Sequence, residues 1–120
     1  MPTLDPAIAA DDYCYLTTAG RVTGRPHEIE IWFGLEGATL YMLSGGGDRS
    51  DWVKNLRARP SCSVRIREQR FTGLARILDG GTEDARARAM LVEKYQPRYS
   101  GDLQDWGRRS RVVAVDLQAD

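Results

Sequence analysis

The chain predicts a mainly β, α+β architecture: an antiparallel barrel or sheet flanked by two to three helices. About six short runs alternate apolar and polar residues or are rich in β-branched side chains, and turn residues separate them. Few segments carry a helical stripe. There is no strand–helix–strand alternation, which a parallel sheet needs for its crossovers.

Residues 1–12 read as an N-terminal arm and residues 13–120 as one domain. Tyr13–Thr18 is an apolar, β-rich run that enters a turn region over Gly20–Pro26. From His27 to Phe33 the pattern alternates, with His27, Ile29, Ile31 and Phe33 opposed to Glu28, Glu30 and Trp32, which describes a half-buried strand. Gly34–Ala38 is then expected to be a turn, with Thr39–Ser44 pairing back on the preceding strand as a hairpin. Gly45–Gly47 leads into a helix that Asp48 or Ser50 can cap. Trp52, Val53, Leu56 and Arg59 fall along one stripe of it, and Pro60 ends it. Ser61–Arg67 alternates again, and Phe71–Leu78 is a further strand. After Gly80-Gly81, Thr82 is placed to cap a helix reaching Tyr95, with Glu83 and Asp84 at its positive end. Asp102–Gly107 reads as one helical turn, and Arg111–Leu117, with its Val-Val-Ala-Val core, as the closing strand.

Composition bounds the function. With 120 residues, 42% hydrophobic and 28% charged, the chain is that of a globular domain without a membrane-spanning stretch. Seventeen basic and seventeen acidic residues cancel, whereas nucleic-acid domains carry a basic excess, so no nucleic-acid partner is expected. Cys14 and Cys62 sit in apolar surroundings and read as reduced core thiols; with a single His, no metal centre is expected. The N-terminus lacks the features of a signal peptide, and the composition points to the cytoplasm.

The chemistry concentrates at two corners. One is Leu16-Thr17-Thr18-Ala19-Gly20-Arg21-Val22-Thr23-Gly24-Arg25-Pro26, the other Leu43-Ser44-Gly45-Gly46-Gly47-Asp48-Arg49. Each sets glycines beside a hydroxyl and an arginine at the end of an apolar run, which lets backbone approach a phosphate while a guanidinium neutralises it. Both corners are expected to converge on one anionic ligand. Arg21 and Arg49, with Arg25 and Lys54, would face it; as a plain alternative, glycines mark turns and arginines are often solvated. Asn55 falls on nearly the same helix face as Trp52, and a core-facing amide needs partners. His27 could bind phosphate or act as an acid, or simply occupy a strand surface. Tyr95, Tyr99 and Trp106 could line a substrate pocket, a tyrosine donating a proton, or could belong to the core. Neither a dinucleotide nor a P-loop fingerprint is present, and no Ser-His-Asp set is visible.

One ordered set of motifs resembles a known family. It comprises Leu-Thr-Thr-x-Gly-Arg-x-Thr-Gly-x-Pro, an alternating strand, Ser-x-Gly-Gly and Trp-x-x-Asn-Leu-x-x-x-Pro. Tyr95-x-x-x-Tyr99, Trp106 and Val-Val-Ala-Val follow in the family's order. This is similar to the deazaflavin-dependent nitroreductases, the type A flavin/deazaflavin oxidoreductases, over about residues 13–117. The resemblance implies a split β-barrel of the FMN-binding, pyridoxamine-phosphate-oxidase-like type, and use of the 8-hydroxy-5-deazaflavin coenzyme F-420. By position it implies Arg21 and Thr23 at the coenzyme's tail and phosphate, with Ser44, Gly45, Gly46 and Gly47 along the ring and ribityl chain. Asn55, with Trp52 behind it, would form the wall. Arg25, His27, Arg49 and Lys54 complete the candidate set, with Tyr95 and Tyr99 on the substrate side. The chain departs from the family at Val22, where a basic residue is frequent, and at Glu28 and Glu30 beside an acidic tail.

The expected activity is hydride transfer from reduced F-420 to a small electron-poor acceptor such as a quinone, nitroaromatic or enone, with a homodimer as one way to complete the site. Two alternatives stay open: the same barrel using FMN, and a non-catalytic flavin or deazaflavin carrier. A barrel binding single-stranded nucleic acid through its aromatics is a third, opposed by the neutral charge.

Overall fold

A computed structural model describes residues 6–118. Seven strands are present: β1 (Cys14–Ala19), β2 (Pro26–Ile31), β3 (Gly34–Glu36), β4 (Thr39–Ser44), β5 (Ser61–Ile66), β6 (Gln69–Ile77) and β7 (Arg111–Gln118). Three α-helices accompany them: α1 (Asp51–Ala58), α2 (Thr82–Tyr95) and α3 (Gln104–Arg109). The strands form one sheet in the order β2-β1-β5-β6-β7-β4-β3, antiparallel at every pairing.

That order explains the barrel. The two edge strands, β2 and β3, are consecutive in sequence and joined by Trp32 and Phe33 alone. Three Cα steps span at most about 10 Å, whereas seven strands laid flat would separate their outer members by about 29 Å. The sheet must therefore curl until its edges meet at this link, a split β-barrel. Gly73 of β6 marks a tight point of the curl, because a Cβ there would lie 2.6 Å from Val115 Cγ1 and 2.9 Å from the Asp116 carbonyl oxygen.

The expected hairpin between the His27–Phe33 run and Thr39–Ser44 is corrected here. β2 pairs with β1 (Cys14 with Ile31, Ala19 with Pro26), and β4 pairs with β3 and β7. Gly34–Glu36, expected within a turn, is strand β3, and only residues 37–38 turn. Glu28 and Glu30 thus lie on an exposed edge, where charge discourages edge-to-edge association.

Two cores lie on opposite faces of the sheet. Cys14, Leu16, Phe33, Leu40, Met42, Val53, Leu56, Val113 and Val115 belong to the barrel interior. Tyr41, Leu43, Val112 and Ala114 belong to a second cluster under Ala87, Leu91 and Tyr95 of α2. β4 and β7 are consequently buried on both faces, which is why their sequences lack alternation. Ile8 is 1% exposed and joins the interior, so the described part of the expected arm, residues 6–12, is anchored; residues 1–5 lie outside the described residues.

The helix ends differ from expectation in detail. Gly81, not Thr82, occupies the cap position of α2, and Asp84 instead accepts a hydrogen bond from the Gly80 amide at 3.3 Å. Ser50 sits at the cap position of α1 without a capping bond, while Asp48 is held by Arg57 and Arg111. Arg59 leaves the stripe as the exposed residue after α1, its amide bonded to Asn55 O at 2.8 Å. The short helical turn falls over Gln104–Arg109.

Candidate functional site

The β1–β2 connection builds the first corner. The Gly20 amide donates to Arg25 O and the Gly24 amide to Gly20 O, both at 2.8 Å, and Thr23 Oγ1 accepts from the Arg25 amide at 3.2 Å. Gly24 has φ +76°, a left-handed conformation that glycine adopts without strain. At Gly20 the reason for glycine is space: a Cβ would come within 3.0 Å of His27 Nε2 and 3.3 Å of Arg25 O. The corner opens on a cleft of about 600 Å³ lined by Arg21, Thr23, Arg25, His27, Trp52 and Asn55, together with Thr18, Val22, Ile29 and two acids, Glu28 and Asp51.

Asn55 organises this cleft from below. It is 4% exposed, and its Oδ1 accepts from both the Arg21 backbone amide (3.2 Å) and Arg21 Nη1 (2.8 Å). Its Nδ2 donates to Thr18 Oγ1 at 3.2 Å, and Thr18 is itself 1% exposed. Arg21 Nη2 reaches Asp51 at 3.2 Å. The core-facing amide thus finds its partners in protein and fixes the Arg21 fork. The side chains of Arg25 and His27 carry no hydrogen bond or ion pair among the described residues, which leaves one guanidinium and one imidazole free to meet an anion.

The second corner does not converge on the first. Gly46, Gly47 and Arg49 line a separate cleft of about 510 Å³, with Arg88, Arg109 and Ser110 among its other walls, and the two clefts share no lining residue. The physical reason is the path of the loop after β4: Ser44 is buried, and its hydroxyl is bound inward to Gly47 O (2.9 Å) and Ser50 Oγ (2.7 Å). Gly45 lies over Trp106, a Cβ there falling 3.9 Å from Trp106 Cδ1. Lys54 is exposed and lines neither cleft.

The two tyrosines both meet Trp32 but differ in exposure. Tyr95 is 1% exposed; its hydroxyl accepts from the Phe33 amide at 2.9 Å and lies 2.8 Å from Asp12 O and 3.0 Å from Phe33 O. Burial drives its pKa upward, and its hydroxyl is taken up by backbone groups of Asp12 and Phe33, which makes it a strut of the β2–β3 link. Tyr99 is 49% exposed and meets Trp32 edge-on at 5.8 Å. Trp32 is the hub of this cluster, stacked on Tyr95 at 4.3 Å and edge-on to Trp106 at 5.4 Å. Cys14 and Cys62 are buried and unpaired, and burial pushes their thiols up to about 12 and about 11.

A family model for F420H2-dependent quinone reductases matches residues 6–118. The chain belongs to this family. It is accordingly an oxidoreductase, and coenzyme F-420 is its cofactor. Among solved structures, an F420-H2 dependent reductase (FDR-A) is 22% identical with a TM-score of 0.72, over 96% of this chain and 98% of that one. A FAD-binding protein from Mesorhizobium loti is 18% identical at 0.68, over 98% and 93%. The heme storage protein HutZ from Vibrio cholerae is 14% identical at 0.72, over 91% and 83%. At these identities the likeness is one of fold, and proteins of such different cargo show that the barrel alone does not choose a ligand.

The quinone-reductase family's coenzyme fits the first cleft by donor chemistry. Two guanidiniums, an imidazole and a hydroxyl suit a phosphodiester and carboxylates, and Trp52 and Ile29 supply an apolar wall. Of the cleft residues, Thr18, Asp51 and Ile29 were not among the candidates from the sequence, and Val22 and Glu28 stood there only as departures from the family. Thr18 carried a usable signal, a hydroxyl two residues before the corner glycine on the inward phase of β1. Asp51 gave none, because its role depends on where Arg21 lands. Among the described residues no helix is long and apolar enough to cross a membrane.

Proposed function

We propose that this chain passes a hydride from reduced F-420 to a small electron-poor acceptor of the quinone, nitroaromatic or enone class, and that the first cleft is where the coenzyme is held. The observation that carries the reading is the Thr18–Asn55–Arg21 chain of hydrogen bonds, which holds a guanidinium ready at a cleft whose other donors, Arg25 and His27, are uncommitted. Pre-positioning matters because the ordering cost is met in folding, not in binding.

When bound, the coenzyme supplies the hydride chemistry. The chain's own tasks are binding, orientation and exclusion of water. Arg21 and Arg25 neutralise phosphate and carboxylate groups, and Thr23 and the corner backbone shape their approach. Trp52, half-buried against the barrel interior, gives the ring a flat apolar neighbour. Val22, 88% exposed at the mouth, offers an apolar contact to the acceptor. His27 is the group at this cleft suited to carry a proton.

The test is a titration of F-420, FMN and FAD side by side, followed by oxidation of reduced F-420 with menadione. F-420 is expected to bind preferentially and to be oxidised only when acceptor is present. Arg21→Ala is expected to weaken F-420 binding by roughly tenfold or more, the worth of a charge-assisted hydrogen bond. Arg86→Ala, on α2 and paired with Glu36, should leave binding unchanged. Equal affinities for the two variants would remove the first cleft, and tight binding without acceptor-dependent oxidation would make the protein a carrier.

A further inference from the structure

The second cleft holds charge that the reaction does not use. Arg49, Arg88, Arg108, Arg109 and Arg111 line it, with only Asp48 and Asp79 among the acids. Most of these cations are already compensated. Arg111 binds Asp48 and Asp79, and Arg57 also binds Asp48, so two guanidiniums meet two carboxylates. Arg88 is paired with Asp84, and Arg108 with Asp105. Arg49 and Arg109 have no ion pair or side-chain hydrogen bond among the described residues. The cluster with its partners therefore carries an excess of two positive charges.

Two further features mark the cleft as built for a ligand. Ser110 is 2% exposed and lines it, yet its hydroxyl has no hydrogen-bond partner, the single buried side-chain polar atom left so among the described residues. Such an orphan costs stability unless something occupies it. In addition, the carbonyls at the end of α3 would repel an anion, but Arg88 Nη1 covers them, donating to Gly107 O at 2.9 Å and Arg108 O at 3.0 Å.

From these observations we infer that the second cleft is an anion site separate from the coenzyme cleft, taking a phosphomonoester-type dianion between Arg49, Arg109 and the Ser110 hydroxyl. Two uncompensated guanidiniums match two negative charges, and guanidinium forks with a hydroxyl are the donor set that phosphoryl oxygens take. Net neutrality of the chain and the small span of the site favour a small phosphorylated molecule over a nucleic acid. The inference rests on the proposed function in one respect, that the coenzyme is held in the first cleft and leaves the second one free.

The test is calorimetric titration with inorganic phosphate at about pH 8, where it is a dianion, and with nitrate at equal ionic strength as the monoanion control. Phosphate is expected to bind at one site and nitrate far more weakly. Arg109→Ala should weaken phosphate about tenfold or more, the scale of one charge-assisted bond. Ser110→Ala should weaken it several-fold while keeping or raising the denaturation midpoint, a combination that a merely structural hydroxyl would not give. Neither variant is expected to change menadione-dependent oxidation of reduced F-420. No phosphate binding at millimolar concentration would overturn the inference, as would wild-type affinity in both variants. Displacement of phosphate by F-420 would also overturn it, by making this cleft part of the coenzyme site; failure of F-420 oxidation in the parent protein would instead count against the proposed function alone.

Discussion

Replacing Asn55 by alanine tests whether the first cleft is organised as described. The substitution removes the acceptor shared by the Arg21 amide and Nη1 and the donor to Thr18 Oγ1. A neutral intramolecular hydrogen bond contributes about 1 kcal/mol and an unsatisfied buried hydroxyl costs about 1–3 kcal/mol. The charged bond ranks higher in principle, but the Arg21 side chain stays 36% exposed and retains Asp51, so water replaces much of it. The sum is about 3 kcal/mol, a large share of the 5–15 kcal/mol typical of a domain, and corresponds to a fall in midpoint of roughly 10 °C. Stability is read by thermal and urea denaturation, and F-420 affinity by titration at a temperature where the variant is folded. Because Asn55 acts through Arg21, affinity in the Arg21→Ala, Asn55→Ala double variant should equal that of Arg21→Ala alone. Additive losses of affinity, or an Asn55→Ala protein as stable as its parent, would refute the reasoning.

Three other outcomes follow from the same structure. Tyr95→Phe strands the Phe33 amide in a fully buried setting and should cost about 1–3 kcal/mol of stability, while the folded variant retains menadione reduction; loss of turnover at full stability would restore Tyr95 as a proton donor. Gly20→Ala should displace His27 and weaken F-420 with little loss of stability, checked by titration and denaturation together. The Glu83 carboxyl is held down to about 2 by hydrogen bonds from Arg76 and Tyr41, against about 4.5 when unfolded. A depressed carboxylate contributes stability above the unfolded value and loses it as pH falls toward the folded one. Glu83→Gln should therefore lose less stability than the parent between about pH 4.5 and pH 2, and identical acid limbs would exclude the contribution.

The sequence disclosed what depends on neighbours along the chain. Alternation in Ser61–Arg67 set Val64 and Ile66 opposite the serines and arginines, and β5 buries both; Pro60 ended α1 where its ring requires. The run from His27 to Phe33 misled because a strand's period says which face is buried and nothing of which strand it pairs with. β2 ends at Ile31 and the chain crosses to the opposite sheet edge within two residues, a decision made by closure of the whole barrel. Tyr95 misled for the same reason. Its helical spacing was visible, but the Phe33 and Asp12 backbone groups that occupy its hydroxyl lie 62 and 83 residues away.

Arginine shows most directly why fold was more legible than site. The chain contains seventeen basic residues, and nothing local tells a guanidinium that will meet a carboxylate from one that will not. Arg76 is tied to Glu83 and Asp116, and Arg86 to Glu36, by contacts that span two or more elements of the sheet and helix layers. An arginine whose fork is taken up by carboxylates, as these two are, has little left for an anionic ligand, whereas Arg21 gives the exposed Asp51 only a single Nη2 contact at 3.2 Å. The informative ones are those the fold leaves over. Arg25 is left over at the first corner, beside an Arg21 that the protein itself aims, and Arg49 and Arg109 at the second. The same glycine–arginine motif thus appears twice in the sequence but is put to two uses in the fold, because the buried Ser44 hydroxyl turns one loop away from the cleft that Asn55 builds for the other.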